Sequence, residues 1–132
     1  MSKKWKEGFS LVEVIIVLGV IAVIASIAIP SVSGLIEQAK ATKVVTNMRT
    51  LQSSIIQYSI YEDDLSSLSY QDLIDEGLLS AEIPDLIITV STLDRITISY
   101  TEDSPDLTKL QKIDSQILGD DTTDPYIEFK VR

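Results

Sequence analysis

The chain has 132 residues, 11 Lys/Arg against 20 Asp/Glu, and a net charge of -9. A surface this acidic speaks against non-specific nucleic-acid binding, and the absence of cysteine removes disulfide staples and thiolate chemistry. Histidine is absent too, which takes away the commonest general base and the commonest metal ligand, so an enzyme is not expected.

Charge is distributed unevenly. Lys3, Lys4 and Lys6 precede Gly8 with only Glu7 opposing them, whereas from Phe9 onward 8 Lys/Arg face 19 Asp/Glu, a net -11. Between these regions lies an uncharged run of 23 residues, Val14 to Ile36, dominated by Val, Ile, Leu and Ala. As a helix it would span roughly 35 Å, enough to cross a bilayer core. A basic tip, an apolar span and an acidic remainder fit a single-pass membrane protein with a cytoplasmic N-terminus and an exported C-terminus. The region C-terminal to the span has fewer than a hundred residues, so it holds one small domain with a small core.

Three readings of residues 1–36 compete. A secretory signal peptide would have this basic tip and apolar run, with Val23-Ile24-Ala25 before Ser26 as a passable cleavage site. An uncleaved anchor needs only the apolar run. Neither explains Glu13, whose carboxylate costs about 2.5–3.5 kcal/mol near mid-membrane and calls for a partner.

The third reading rests on Gly8-Phe9-Ser10-Leu11-Val12-Glu13, the apolar run after it, and Pro30 near its end. This pattern resembles a type IV prepilin of the class with a short leader, with Ser10-Leu11-Val12 where Thr-Leu-Ile is commoner. The resemblance covers about the first 35 residues. It implies that residues 1–8 are a leader, cut after Gly8 by a prepilin peptidase that then N-methylates the amine of Phe9. It further implies that residues 9–36 form the transmembrane and assembly helix. Gly8 would let the peptidase approach the backbone, which a Cβ would obstruct. Cleavage there creates a positive amine one helical turn from Glu13, and in a stack of parallel helices that carboxylate can meet a neighbour's amine. In an apolar layer such a pair is tolerable where either charge alone is not, and it sets the register of assembly. Pro30 removes one backbone hydrogen bond and is expected to kink or locally unwind the helix. Gly19 and Gly34 permit close helix approach or bending.

Beyond the span, Ala41, Val44, Met48, Leu51, Ile55 and Tyr58 step by three and four, an amphipathic stripe that should pack on the head. One helix is therefore expected from Phe9 to about Tyr61, ended by Glu62-Asp63-Asp64. Ser69 should cap a short helix from Tyr70 to Glu76, closed by Gly77. Pro84-Asp85 starts a new segment. Leu86–Ser91 and Arg95–Thr101 read as a hairpin around Thr92-Leu93-Asp94. Ser104-Pro105 is expected to open a helix running to Leu118, with Gly119 closing it, before a last strand, Tyr126–Val131. The whole is an α+β fold, a long N-terminal helix against a small antiparallel sheet of three or four strands. That is also the arrangement that pilin resemblance implies.

Asp120, Asp121 and Asp124, with Thr122 and Thr123, make an oxygen-rich loop and a weak calcium candidate, since some pseudopilins of type II secretion bind calcium in a C-terminal loop. Glu62-Asp63-Asp64 is a weaker one. No nucleophile–base pair or phosphate-cradling loop is present, and the head has no basic aromatic groove, so direct nucleic-acid binding is not expected. The expected role is structural: a subunit polymerised through its N-terminal helix with other pilins, dependent on a prepilin peptidase and a membrane assembly platform. A type IV pilus, a competence pilus and a type II secretion pseudopilus all fit. A secreted or anchored binding domain with an ordinary signal sequence is the alternative of a different class.

Overall fold

In a computed structural model of the chain, the described residues are 8–92, 94–120 and 122–131. Most of the expected leader (residues 1–7), Leu93 of the hairpin turn and Asp121 of the acidic loop lie outside them. The chain divides into two compact units, Met1–Ile36 and Glu37–Arg132. One helix, α1 (Leu11–Tyr61), contributes to both.

In the first unit α1 is uninterrupted through Pro30, so the locally unwound turn expected there is absent. Pro30 simply has no N–H to return to the Ser26 carbonyl. Nearby serine hydroxyls bond back to the helix: Ser26 to the Val23 carbonyl at 2.7 Å and Ser33 to that of Pro30 at 2.9 Å. The Val, Ile and Leu side chains of the apolar run are exposed on every face, and the run is long and apolar enough to cross a membrane.

The second unit is a small α+β head with a long helical segment, as the residue pattern implied. Its four-stranded antiparallel sheet has the order β1-β2-β4-β3, with β1 Leu86–Thr92, β2 Arg95–Tyr100, β3 Leu118–Asp120 and β4 Thr123–Lys130. β1 and β2 form the expected hairpin, with Ile88 opposite Ile98 and a bulge between Val90 and Thr92. β4 pairs β2 on its other side, with Ile127 opposite Ile98. Alternation then places Ile96, Ile98 and Ile127 inward, where they are buried against Met48, Leu51 and Ile55 of α1.

The stripe on α1 differs in detail from the expected one. Val45 is buried, whereas Val44 and Tyr58 pack only partly against the core. Ser54 and Ser59 also lie inside, because short side chains permit a close approach there. Ser54 satisfies its hydroxyl on the carbonyls of Thr50 (3.1 Å) and Leu78 (3.0 Å), and Ser59 on that of Ile56 (2.7 Å).

A short helix α2 (Tyr70–Asp75) follows a full capping box. The Asp72 carboxylate accepts the Ser69 N–H at 2.8 Å while the Ser69 hydroxyl accepts the Asp72 N–H. Gly77, at φ 70°, closes it: the Leu78 N–H reaches the Leu73 carbonyl and the Gly77 N–H that of Ile74, each at 2.9 Å.

The inserted helix requires correction. It is α3 (Leu107–Ile113), much shorter than the stretch Pro105–Leu118, and its cap is Asp106, not Ser104. The Asp106 carboxylate accepts the Lys109 N–H at 2.9 Å, and an aspartate next to the first turn caps it better than a serine two residues earlier. Gly119 does not close this helix. It lies in β3, at φ 145°, where a Cβ would meet the Leu107 methyls at 3.4 Å. Asp114 stops the helix because its side chain is drawn away to Arg49 and to the Gln116 N–H. The residues beyond are thereby free to bury Ile117 and add a fourth strand. β4 accordingly begins at Thr123, earlier than Tyr126, since its first residues pair with β3.

Candidate functional site

At the start of α1, Ser10 and Glu13 form a reciprocal pair. The Ser10 N–H donates to Glu13 Oε2 at 2.9 Å, and the Glu13 N–H donates to Ser10 Oγ at 3.2 Å. Ser-x-x-Glu before an apolar run is a capping-box signature. It is present in the sequence but is masked by the resemblance, which assigns Glu13 to a neighbour. It explains why the helix starts at Leu11 rather than Phe9. Phe9 is 90% exposed, and the side chains from Leu11 to Val17 form an apolar surface interrupted only by Glu13. Among the described residues nothing stands within 4 Å of where a Cβ would be at Gly8, and the same is true of Gly19 and Gly34. The described residues therefore make no packing demand for glycine at these three positions.

In the head, the acidic loop is a tight turn between β3 and β4. Asp120 Oδ1 accepts the Thr122 N–H (2.8 Å) and the hydroxyls of Thr122 (2.7 Å) and Thr123 (2.6 Å). These bonds, with the Thr123 hydroxyl first, hold the Asp120 carboxyl down at about 2. Asp124 is not part of this cluster of bonds, and Asp121 lies outside the described residues. Among the described residues no three carboxylates converge to hold a metal ion. In the other acidic turn, Asp64 accepts the Ser66 N–H at 2.9 Å, an Asx-type turn, and the hydrogen bonds from Ser66 lower its pKa.

Arg49, which the helical wheel places on a solvent face, is a hub. Its Nε donates to Asp114 Oδ2 at 2.6 Å, and its two remaining nitrogens donate to Gln52 and Gln116, each at 2.7 Å. Partial burial raises the Asp114 carboxyl, but the Gln116 N–H and the Arg49 guanidinium outweigh it and leave the pKa lowered. Lys109 pairs with Glu37 at the other end of α3. Local periodicity could not find either pair, because the partners stand 65 and 72 residues apart.

A model of the prokaryotic N-terminal methylation motif matches residues 6–29. The chain is also similar to the type II secretion system core protein G of Aeromonas hydrophila, 30% identical over 60 residues. That match covers 46% of this chain and 42% of the relative, so the chain spans less than half of that protein's length. No solved structure matches significantly. Together the motif and the relative support a type IV pilin or pseudopilin family, a structural class and not an enzyme class.

Proposed function

We propose that the chain is a structural subunit of a type IV pilus-like filament, cut after Gly8, N-methylated on Phe9 and polymerised through α1. The observation that carries this reading is the first half of α1, a helix apolar on all sides with one carboxylate, Glu13, at its start. Among the described residues, the first unit has nothing of its own against which to bury such a surface. Side-by-side packing of identical helices would bury it and would supply, from each neighbour's new amine, the charge that Glu13 lacks. The absence of any described residue around a Cβ at Gly8 fits a glycine required by a peptidase rather than by packing. Before assembly the subunit would be anchored with residues 1–8 in the cytoplasm, and its partners would be other pilins, the peptidase and an assembly platform.

The similarity to a core protein G favours a secretion pseudopilus as the second reading, against a pilus or a competence filament. The decisive experiment is intact mass and N-terminal sequencing of the protein from its native membrane. A mature chain beginning at methyl-Phe9 supports the proposal; one beginning at Ser26, or retaining Met1, overturns it. Co-purification with secreted enzymes or with surface filaments then separates the subtypes.

A further inference from the structure

The sheet has two edges, and they are treated differently. β3 is three residues long, is interrupted by an irregularity and has α3 beside Gly119. β1 is seven residues long and has no charged residue and no proline. Short length, charge, proline and bulges are how natural proteins blunt an edge against strand addition, and of these β1 has only a bulge. Its bulge between Val90 and Thr92 ends the regular stretch at Val90.

Which groups are free follows from the register. The Thr101 N–H donates to the Asp85 carbonyl at 3.0 Å, and the ladder runs on through Ile87 opposite Ser99 and Thr89 opposite Thr97. Backbone groups alternate sides in an antiparallel strand, so Leu86, Ile88 and Val90 turn their N–H and C=O away from β2. The Leu86 carbonyl accepts the Tyr70 hydroxyl at 3.0 Å, which agrees with that direction. The outward groups of Ile88 and Val90 meet no partner among the described residues. Their side chains are only half-buried against the core, so the cover over this end of the sheet is incomplete.

Charge selects the occupant. From Thr50 to Asp94, the stretch that includes α2 and β1, the chain has nine Asp/Glu and no Lys or Arg. Asp94 is paired with Lys130 and Asp85 shares a cleft with Lys40 and Lys43, so the acidic flank of the strand is Glu82 with α2, beside its Tyr70 end. Pairing β1 with β1 of a second copy would bring two such acidic flanks together. We infer that the outer edge of β1 receives an added strand from a cationic extended segment of another protein, hydrogen-bonded to Ile88 and Val90. Main-chain bonds would supply the affinity and the acidic flank the preference for Lys/Arg.

The test uses the full chain in zwitterionic detergent micelles, with amide hydrogen exchange as readout. The probe is a short capped peptide alternating lysine and valine. Protection of the Ile88 and Val90 amides is expected, together with binding weakened at least about tenfold, some 1.4 kcal/mol, when glutamate replaces lysine or when the pairing amides of the peptide are N-methylated. N-methylation leaves the protein untouched, so a loss cannot come from misfolding. Equal binding of the methylated peptide would reduce the effect to surface charge and overturn the proposal. So would protection confined to other amides, or protection of Ile88 and Val90 that rises with protein concentration alone, which would make a second copy the occupant.

Discussion

Ser10 and Glu13 satisfy each other's backbone N–H groups at the first turn of α1, so the carboxylate proposed for assembly already has a partner in the single chain. Moving it to a neighbour's amine therefore exchanges one hydrogen bond for an ion pair. The capping box keeps the carboxylate at the helix start, near the amine that cleavage would create, and helps the helix begin there.

Replacing Glu13 separates the two roles. Glu13→Val is expected to leave cleavage after Gly8 largely intact and to abolish incorporation into filaments, since it removes the charge proposed to pair with a neighbour's Phe9 amine. Ser10→Ala should weaken the first turn by about 1 kcal/mol and still permit assembly. Immunoblots of processed subunit beside sheared filaments measure both. Normal filaments from Glu13→Val would overturn the pairing.

Arg49 reports on the docking of α3. Arg49→Ala removes three hydrogen bonds and leaves the partly buried Asp114 with the Gln116 N–H. The Arg49 side chain is one-third exposed, so the loss is discounted to about 1–2 kcal/mol. Thermal unfolding of the full chain measures it, and the double variant with Asp114→Asn should lose less than the sum of the two single losses because both act on one network.

Core truncation should cost more. Leu51→Ala empties a fully buried site between α1 and the sheet, for an expected loss of about 2–5 kcal/mol, whereas Ile60→Ala, at an exposed position on the same helix, should change stability by less than about 0.5 kcal/mol. Equal effects would contradict the placement of the stripe.

Acid sensitivity arises from the depressed carboxyls. Asp120 is held at about 2 by the hydroxyls and N–H of Thr123 and Thr122, while an unfolded aspartate titrates near about 3.9. A lowered carboxyl stabilises the fold above the unfolded value and loses that contribution as pH falls through the folded one. The β3–β4 turn should therefore weaken between about pH 4 and pH 2. Asp72, Asp94 and Asp114 are lowered as well and add in the same direction. The melting temperature measured against pH should fall in this window, and Asp120→Asn should flatten part of the fall.

Tyr70 locks the start of the β1 edge. Its hydroxyl donates to the carbonyls of Ile83 (3.3 Å) and Leu86 (3.0 Å), and burial, with Glu82 nearby, pushes its pKa up to about 12. Tyr70→Phe should cost about 1 kcal/mol and speed exchange of amides around Ile83 to Leu86, measurable by hydrogen exchange.

Much of the molecule is legible locally. The apolar run, the glycine and glutamate spacing, the amphipathic stripe, the Ser69 cap and the β1–β2 hairpin all depend on residues within a few positions of one another. Helical turns, caps and tight hairpins are closed by short-range hydrogen bonds, so residue order alone determines them. Ser10-x-x-Glu13 belongs to the same class and is equally readable.

Only the tertiary structure decided the features in which distant partners compete with local preference. The pattern after Pro105 reads as a helix to Leu118, yet Arg49, far away on α1, takes the Asp114 side chain, and Ile117 gains more by entering the core than by continuing the helix. β3, the order β1-β2-β4-β3 and the closed Asp120 turn result from that. So does the contrast between a short edge at β3 and an open one at β1. Burial and long-range pairing set these, and neither is written in any short window of the chain.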